Sequence, residues 1–224
     1  MTSRALIDAA WYTARGAGVV CLLLLTVVVG LGIAARSGRP LPGLPRFAVA
    51  AVHRNASLLA VTLLGLHVGL LVFDPYAQLR LVDVVLPFTA AYRPLWVGLG
   101  TLALDLLVAV VVTSLLRHRL GVVAWRLVHW AAYAIWPLAL LHGLRSGSDA
   151  GQGWFLAVSL LCAAAVAALL VWRVSVAFTE YGELRVMPGR TDPVGHPVRP
   201  LPAPDRAWPT APARPAEWDG GVPR

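Results

Sequence analysis

Five apolar runs, near 16 to 34, 48 to 73, 95 to 116, 123 to 144 and 154 to 178, constrain this chain of 224 residues more than any other feature. A bilayer core of about 30 Å takes about 20 apolar residues of helix to cross, and each run is about that long. Within lipid the backbone must satisfy its own hydrogen bonds, so runs of this kind become helices. Only 13% of the residues are charged, against roughly 25% in a soluble domain. The sequence therefore predicts an all-α fold, an integral membrane bundle of about five transmembrane helices. Pro40, Pro42 and Pro45 precede the second run and Pro87 and Pro94 the third, where proline marks helix starts. The first run exceeds the roughly 7 to 15 residues of a secretory apolar region, so it reads as a retained span.

All 19 basic residues are Arg, and the formal net charge is +8. Such a charge suits a nucleic-acid partner only where it forms one stripe or face. Here the Arg residues lie between apolar runs, which points to membrane topology and to the bilayer as partner, with no nucleic acid. The connection at 35 to 47 holds Arg36, Arg39 and Arg46 without an acid, and the one at 117 to 122 holds Arg117 and Arg119. The connections at 74 to 94 and 145 to 153 set Arg80, Arg93 and Arg145 against Asp74, Asp83 and Asp149. Arg-rich loops stay cytoplasmic, so the expected protein is a multi-pass cell-membrane protein with its N-terminus outside and its C-terminus inside. Its parts are an external segment 1–15, a membrane domain 16–178 and a tail 179–224. Of the 17 prolines, 10 fall in the last 45 residues, so the tail is expected to be a disordered cytoplasmic extension. The segment 81 to 88 is too short to span and is expected at the outer interface or packed as a loop. Cys21 and Cys162 lie in separate apolar runs and read as small buried residues.

Chemistry enters with the histidines. His53 and His67 are 14 residues apart in the second run, and His129 and His142 are 13 apart in the fourth. The expected orientation makes these helices run the same way, placing His53 with His129 toward the cytoplasm and His67 with His142 toward the outside. At 1.5 Å per residue the two levels are about 20 Å apart, and polar residues in a span mark function more often than packing. Imidazole on both axial faces suits a low-spin haem built for electron transfer. Zinc fits less well, because no thiol or carboxylate accompanies the histidines; structural hydrogen bonding and proton relay remain open. One angle resists: at 100° per residue a 14-residue step returns to nearly the same face, whereas a 13-residue step lands about 140° away. Pro137 lies between His129 and His142, and a distortion is expected there.

The spacings, with WRLVHWAAYAIWPLALLHGLRSGSD at 125 to 149 and PLWVGLGTLALDLL…TSLLRHRLG from 94 to 121, resemble the ferric reductase-like transmembrane domain. That superfamily holds the ferric reductases, the NADPH oxidases and the haem subunit of a bacterial methionine sulfoxide reductase system. The resemblance covers about 16 to 178. It implies bis-histidine haem sites between helices 2 and 4, with two haem b: His53 and His129 on the inner one, His67 and His142 on the outer. The implied function is transmembrane electron transfer by a b-type dihaem cytochrome, an oxidoreductase of ferric reductase type, from a cytoplasmic or quinol donor to an external acceptor such as ferric iron. Delivery to a separate external reductase is the alternative, and a non-redox protein with structural or proton-relay histidines a third. Family reductases often continue into a flavin and nicotinamide module. Here GHPV at 195 to 198 is followed by no GxGxxG-like turn, so flavin is not expected on this chain and the donor is expected to be a separate flavin/NAD(P)H reductase or a quinol.

Haem propionates need cationic partners near the membrane faces. Arg54 and Arg126 lie beside the inner histidines, Arg93 and Arg145 near the outer level; each also suits an interfacial snorkelling role. Trp136 sits midway between His129 and His142, as a second candidate against the cofactors or as a core aromatic. Asp105 is the one acid deep in a run, with its role open. His118 and His196 read as solvated.

Overall fold

Proline opens two of the long helices. Pro45 is the N-cap of α2 (Arg46–Val72), with φ −65° and ψ 155°, and Pro94 is the first residue of α4 (Pro94–Leu115). At that position its missing N–H would have had no partner in the helix anyway. The computed structural model describes residues 3–37, 45–75, 77–147 and 149–175. It adds α1 (Ser3–Ser37), α3 (Leu81–Val85), α5 (Arg117–His129), α6 (Ala132–Ser146) and α7 (Gly153–Val174), and no strand among those residues. The expected tail at 179–224 lies outside the described residues.

Four helices, α1, α2, α4 and α7, are long and apolar enough to cross a membrane, and the bent pair α5 and α6 makes a fifth span if counted as one. Their outer faces carry Val27, Leu58, Leu59, Val108, Leu160 and Leu161, all exposed. A soluble protein would not tolerate that much open apolar surface; lipid covers it. The protein is thus a multi-pass membrane protein. α1 is 35 residues long, about 52 Å at 1.5 Å per residue. It begins well before residue 16 and exceeds the bilayer core by several turns.

α1 is the central helix: it packs along α2 and also touches α6 and α7, while α4 packs on α6 and α5. Lipid offers no hydrophobic drive for helices to associate, so close packing of small residues does the work. Ala14, Ala17, Cys21 and Ala34 of α1 are buried, as are Ala60, Ala103 and Cys162 on neighbouring helices. Trp136 belongs to this core with Leu22, Leu25, Ile135 and Val166. Its indole N–H donates to Thr26 Oγ1 on α1 at 2.9 Å.

The break in the fourth span is not centred on Pro137, which α6 contains. The bend of 43° falls between α5 and α6, at Trp130 and Ala131. Proline presses on the carbonyl four residues back, here Tyr133, so the chain yields in the turn just before it. There Ala131, Tyr133 and Ala134 donate to the carbonyls of Val128, Trp130 and Ala131, each three residues back. Such tightened turns advance about 120° per residue instead of 100°. Three of them recover about 60° of the 140° by which the histidine step misses. A second irregularity replaces the expected 117 to 122 loop, which is helical and includes His118: Gly121 has φ 78°, a left-handed backbone that glycine adopts without strain.

The segment 77 to 93 folds as a cap on α4. Asp83, the third residue of α3, is 1% exposed and accepts four bonds. They come from Arg80 N–H and Nε at 3.0 Å, Arg80 Nη2 at 2.7 Å and Thr89 Oγ1 at 2.8 Å. Thr101 Oγ1 of α4 then holds the Asp83 carbonyl at 2.8 Å. The bonds from Arg80 hold the Asp83 carboxyl well below the usual carboxylate range. A depressed native value stabilises the cap fully above the unfolded value near pH ~4, and the gain is lost as pH falls through the native value. Hydrogen exchange at residues 80–89 should therefore accelerate as pH drops below about 4. In Asp83→Asn the cap should exchange fast at neutral pH and lose that pH dependence. Equal protection in both proteins would show that the ion pair does not hold the cap.

Candidate functional site

The antiparallel pairing of α1 with α2 brings backbone carbonyls of α1 to the histidines of α2. His67 Nδ1 lies 2.7 Å from the Ala14 carbonyl oxygen, and His53 Nδ1 lies 3.1 Å from that of Val28. Between α4 and α6, His142 Nδ1 lies 2.9 Å from the Trp96 carbonyl oxygen. A carbonyl only accepts, so Nδ1 is the protonated nitrogen in all three rings and Nε2 keeps its lone pair. His129, the last residue of α5, differs: its Nδ1 is buried with no hydrogen-bond partner among the described residues. The Trp125 ring leans on it with centroids 5.0 Å apart.

The rings sort along the bundle: His67 lies at Ala14, next to Arg15, which reaches Asp149 just past α6, and His142 lies near that end of α6; His53 and His129 lie 14 and 13 residues away along the chain. All four are half-buried. Among the described residues no group of three or more His, Cys, Asp or Glu gathers to hold a bare metal ion. α2 packs closely on α1 but makes no comparable packing with α4, α5 or α6, and only 6% of its apolar stretch is buried. Neutral imidazoles with Nε2 available are the donor type that would hold a haem iron. The donor set fits haem.

The cationic candidates separate. Arg54 and Arg126 are exposed near His53 and His129. At the other level Arg93, in a left-handed conformation with φ 42°, donates to the Arg145 carbonyl. The Arg145 guanidinium sits 5.2 Å from the Trp96 ring centre, so both lie at the end where Trp96 anchors His142. Trp136 lies in the core between α1, α6 and α7. Asp105 is half-buried on α4, and no hydrogen bond or ion pair reaches it among the described residues.

Sequence reasoning missed Arg15. It pairs with Asp149 through Nε at 2.9 Å and through Nη2, and so ties α1 to the turn before α7. Asp149 had been set against Arg145, its neighbour in sequence; helix packing gave it a partner 134 residues away. The glycines were missed as well. A Cβ built on Gly18 would come within 3.0 Å of the His67 ring, on Gly32 within 3.4 Å of His53, and on Gly100 within 2.6 Å of His142. The signal was present: Gly18 and Gly32 are 14 residues apart, the same step as His53 and His67.

No curated protein and no solved structure matches the chain. A family model does, the ferric reductase like transmembrane component, over residues 17–140. That stretch holds α1 from the first anchoring glycine, α2, α4, α5 and the histidines at 53, 67 and 129, and ends two residues before His142. It covers more than half of the 224 residues, and the chain therefore belongs to the ferric reductase-like transmembrane component family.

Proposed function

We propose that this protein carries electrons across the membrane as a b-type dihaem cytochrome. What supports the reading is four imidazoles on α2, α5 and α6, three of them fixed by Nδ1 so that Nε2 is presented. Haem bound by two imidazoles would supply a one-electron couple with no open coordination position. The protein's own part is to hold the ligands. The Ala14, Val28 and Trp96 carbonyls set the tautomer and ring direction and raise ligand basicity. The apolar bundle keeps water from the interval of about 20 Å between the levels.

The Arg-rich connections favour a cytoplasmic His53–His129 level, close to Arg54 and Arg126, and an outer His67–His142 level, close to Arg93 and Arg145. In that orientation the donor is a cytoplasmic flavin/NAD(P)H reductase or a membrane quinol. The acceptor is ferric iron or an external reductase. The four Arg residues supply cations for carboxylates at both faces.

A reduced-minus-oxidised spectrum of the purified protein tests the reading. Two b-type haems per chain, both low-spin, are expected. Protein purified without haem after growth with ample haem supply would leave the histidines as packing or proton-relay groups.

A further inference from the structure

α4 packs on α6, on α5 and under the short α3, and one of its faces is left without a helix. Residues 98, 101, 105, 108, 112 and 115 follow one another in steps of four and three, the spacing that keeps a seam of side chains along one side of a helix. The cap closes the start of that seam. Gly98 is buried where a Cβ would collide with the Phe88 ring, and Thr101 is buried with its hydroxyl on the Asp83 carbonyl. The rest is open: Val108, Val112 and Leu115 are exposed, and so is Ala109 beside them.

Asp105 stands where the covered part of the seam ends. It is the twelfth of the 22 residues of α4, near the middle of the span, and has no hydrogen bond or ion pair among the described residues. Water is absent at that depth, so the carboxyl needs its partner from protein. In its acid form a carboxyl donates through O–H and accepts through C=O, so two of them face to face satisfy each other. The membrane inserts every copy of one chain the same way round. Two copies therefore pair about an axis along the membrane normal, with α4 parallel to α4 and like residue opposite like. Asp105 then meets Asp105, and Val108, Val112 and Leu115 meet themselves, apolar on apolar. Ala109 lets the two backbones come close. A second copy brings the matching group to the right depth by symmetry, whereas any other helix would have to carry its own donor there.

We propose that the open seam of α4 is the interface of a symmetric dimer of this chain in the membrane, with the two Asp105 carboxyls paired at its centre. At 100° per residue Asp105 lies about 140° around the helix from Gly100, the residue that faces His142. The interface thus uses a different face of α4 from the histidine site, and it stands whether or not that site holds a cofactor.

The test is disulfide cross-linking of the full-length protein in lipid vesicles. Val108→Cys and Leu115→Cys, each made alone, should join two chains roughly tenfold faster than Leu161→Cys, because a disulfide forms only where the two backbones come within about 7 Å. Leu161 is the control, exposed on α7, and the unaltered protein, whose Cys21 and Cys162 are buried, is the blank. Diluting the protein with lipid reads the strength of association. Asp105→Leu should weaken it roughly tenfold, the order of an interhelical hydrogen bond in lipid. Asp105→Asn should keep it, since the amide also donates and accepts. Both changes take a carboxyl out of the apolar span, so neither burdens folding. Equal cross-linking at residues 108 and 161, or monomers at every ratio of protein to lipid, overturns the proposal. So does an Asp105→Leu protein that associates as tightly as the unaltered one. Monomers in vesicles together with cross-links from residue 108 to another protein in native membranes would give the seam to a foreign helix, and overturn it too.

Discussion

Replacing both histidines of one level, His67→Ala with His142→Ala, should leave about half of the haem in the protein, whereas His53→Ala with His67→Ala should remove nearly all of it. Both variants delete two imidazoles; they differ in whether the two come from one site or from both. The expectation follows from the proposed dihaem arrangement, which sets His53 with His129 and His67 with His142. Haem per chain, measured as the pyridine haemochrome, reads the result. Equal losses in the two double variants would break the two-level arrangement even if haem is present.

Gly100→Val should cost the His67–His142 level its cofactor and the bundle part of its stability. A Cβ at residue 100 falls 2.6 Å from His142 Nδ1 and 2.8 Å from Cε1, so the ring must leave its bond to the Trp96 carbonyl. Overpacking of this sort costs about 1–3 kcal/mol, and the lost hydrogen bond about 1 kcal/mol more. Gly16→Ala is the control: nothing lies within 4 Å of a Cβ there, and alanine in a helix is worth up to about 1 kcal/mol over glycine. Thermal unfolding and haem content should fall together in Gly100→Val and hold or rise in Gly16→Ala. A Gly100→Val protein with full haem and unchanged melting would show that His142 does not depend on this contact.

Much of the fold was legible because length and polarity alone decide whether a helix can cross lipid. The spans at 48 to 73, 95 to 116 and 154 to 178 correspond to α2, α4 and α7 within a few residues. The fourth span was legible as one run, but its break was not. Pro137 marked the strain, and the bend at Trp130 and Ala131 arose where the preceding turn could tighten. The histidines stood out because a polar ring in an apolar run has few reasons to be there. Arg15 did not stand out, because a charge just ahead of an apolar run is ordinary until its partner is known. Trp136 had two readings, and its bond to Thr26 put it in the core.

By itself the sequence determined that this chain crosses a membrane several times as helices, and that the histidines of each pair stand about 20 Å apart along their span, because apolar length and a fixed rise per residue set both. Only the tertiary structure decided which nitrogen three of the rings present, and which of the four goes unanchored. The anchors are backbone carbonyls, and every residue has one. Which carbonyl meets a ring depends on how far each helix is rotated against its neighbour, and on a missing Cβ that lets the two approach. The Gly18, Gly32 and Gly100 contacts are legible only after the helices are packed.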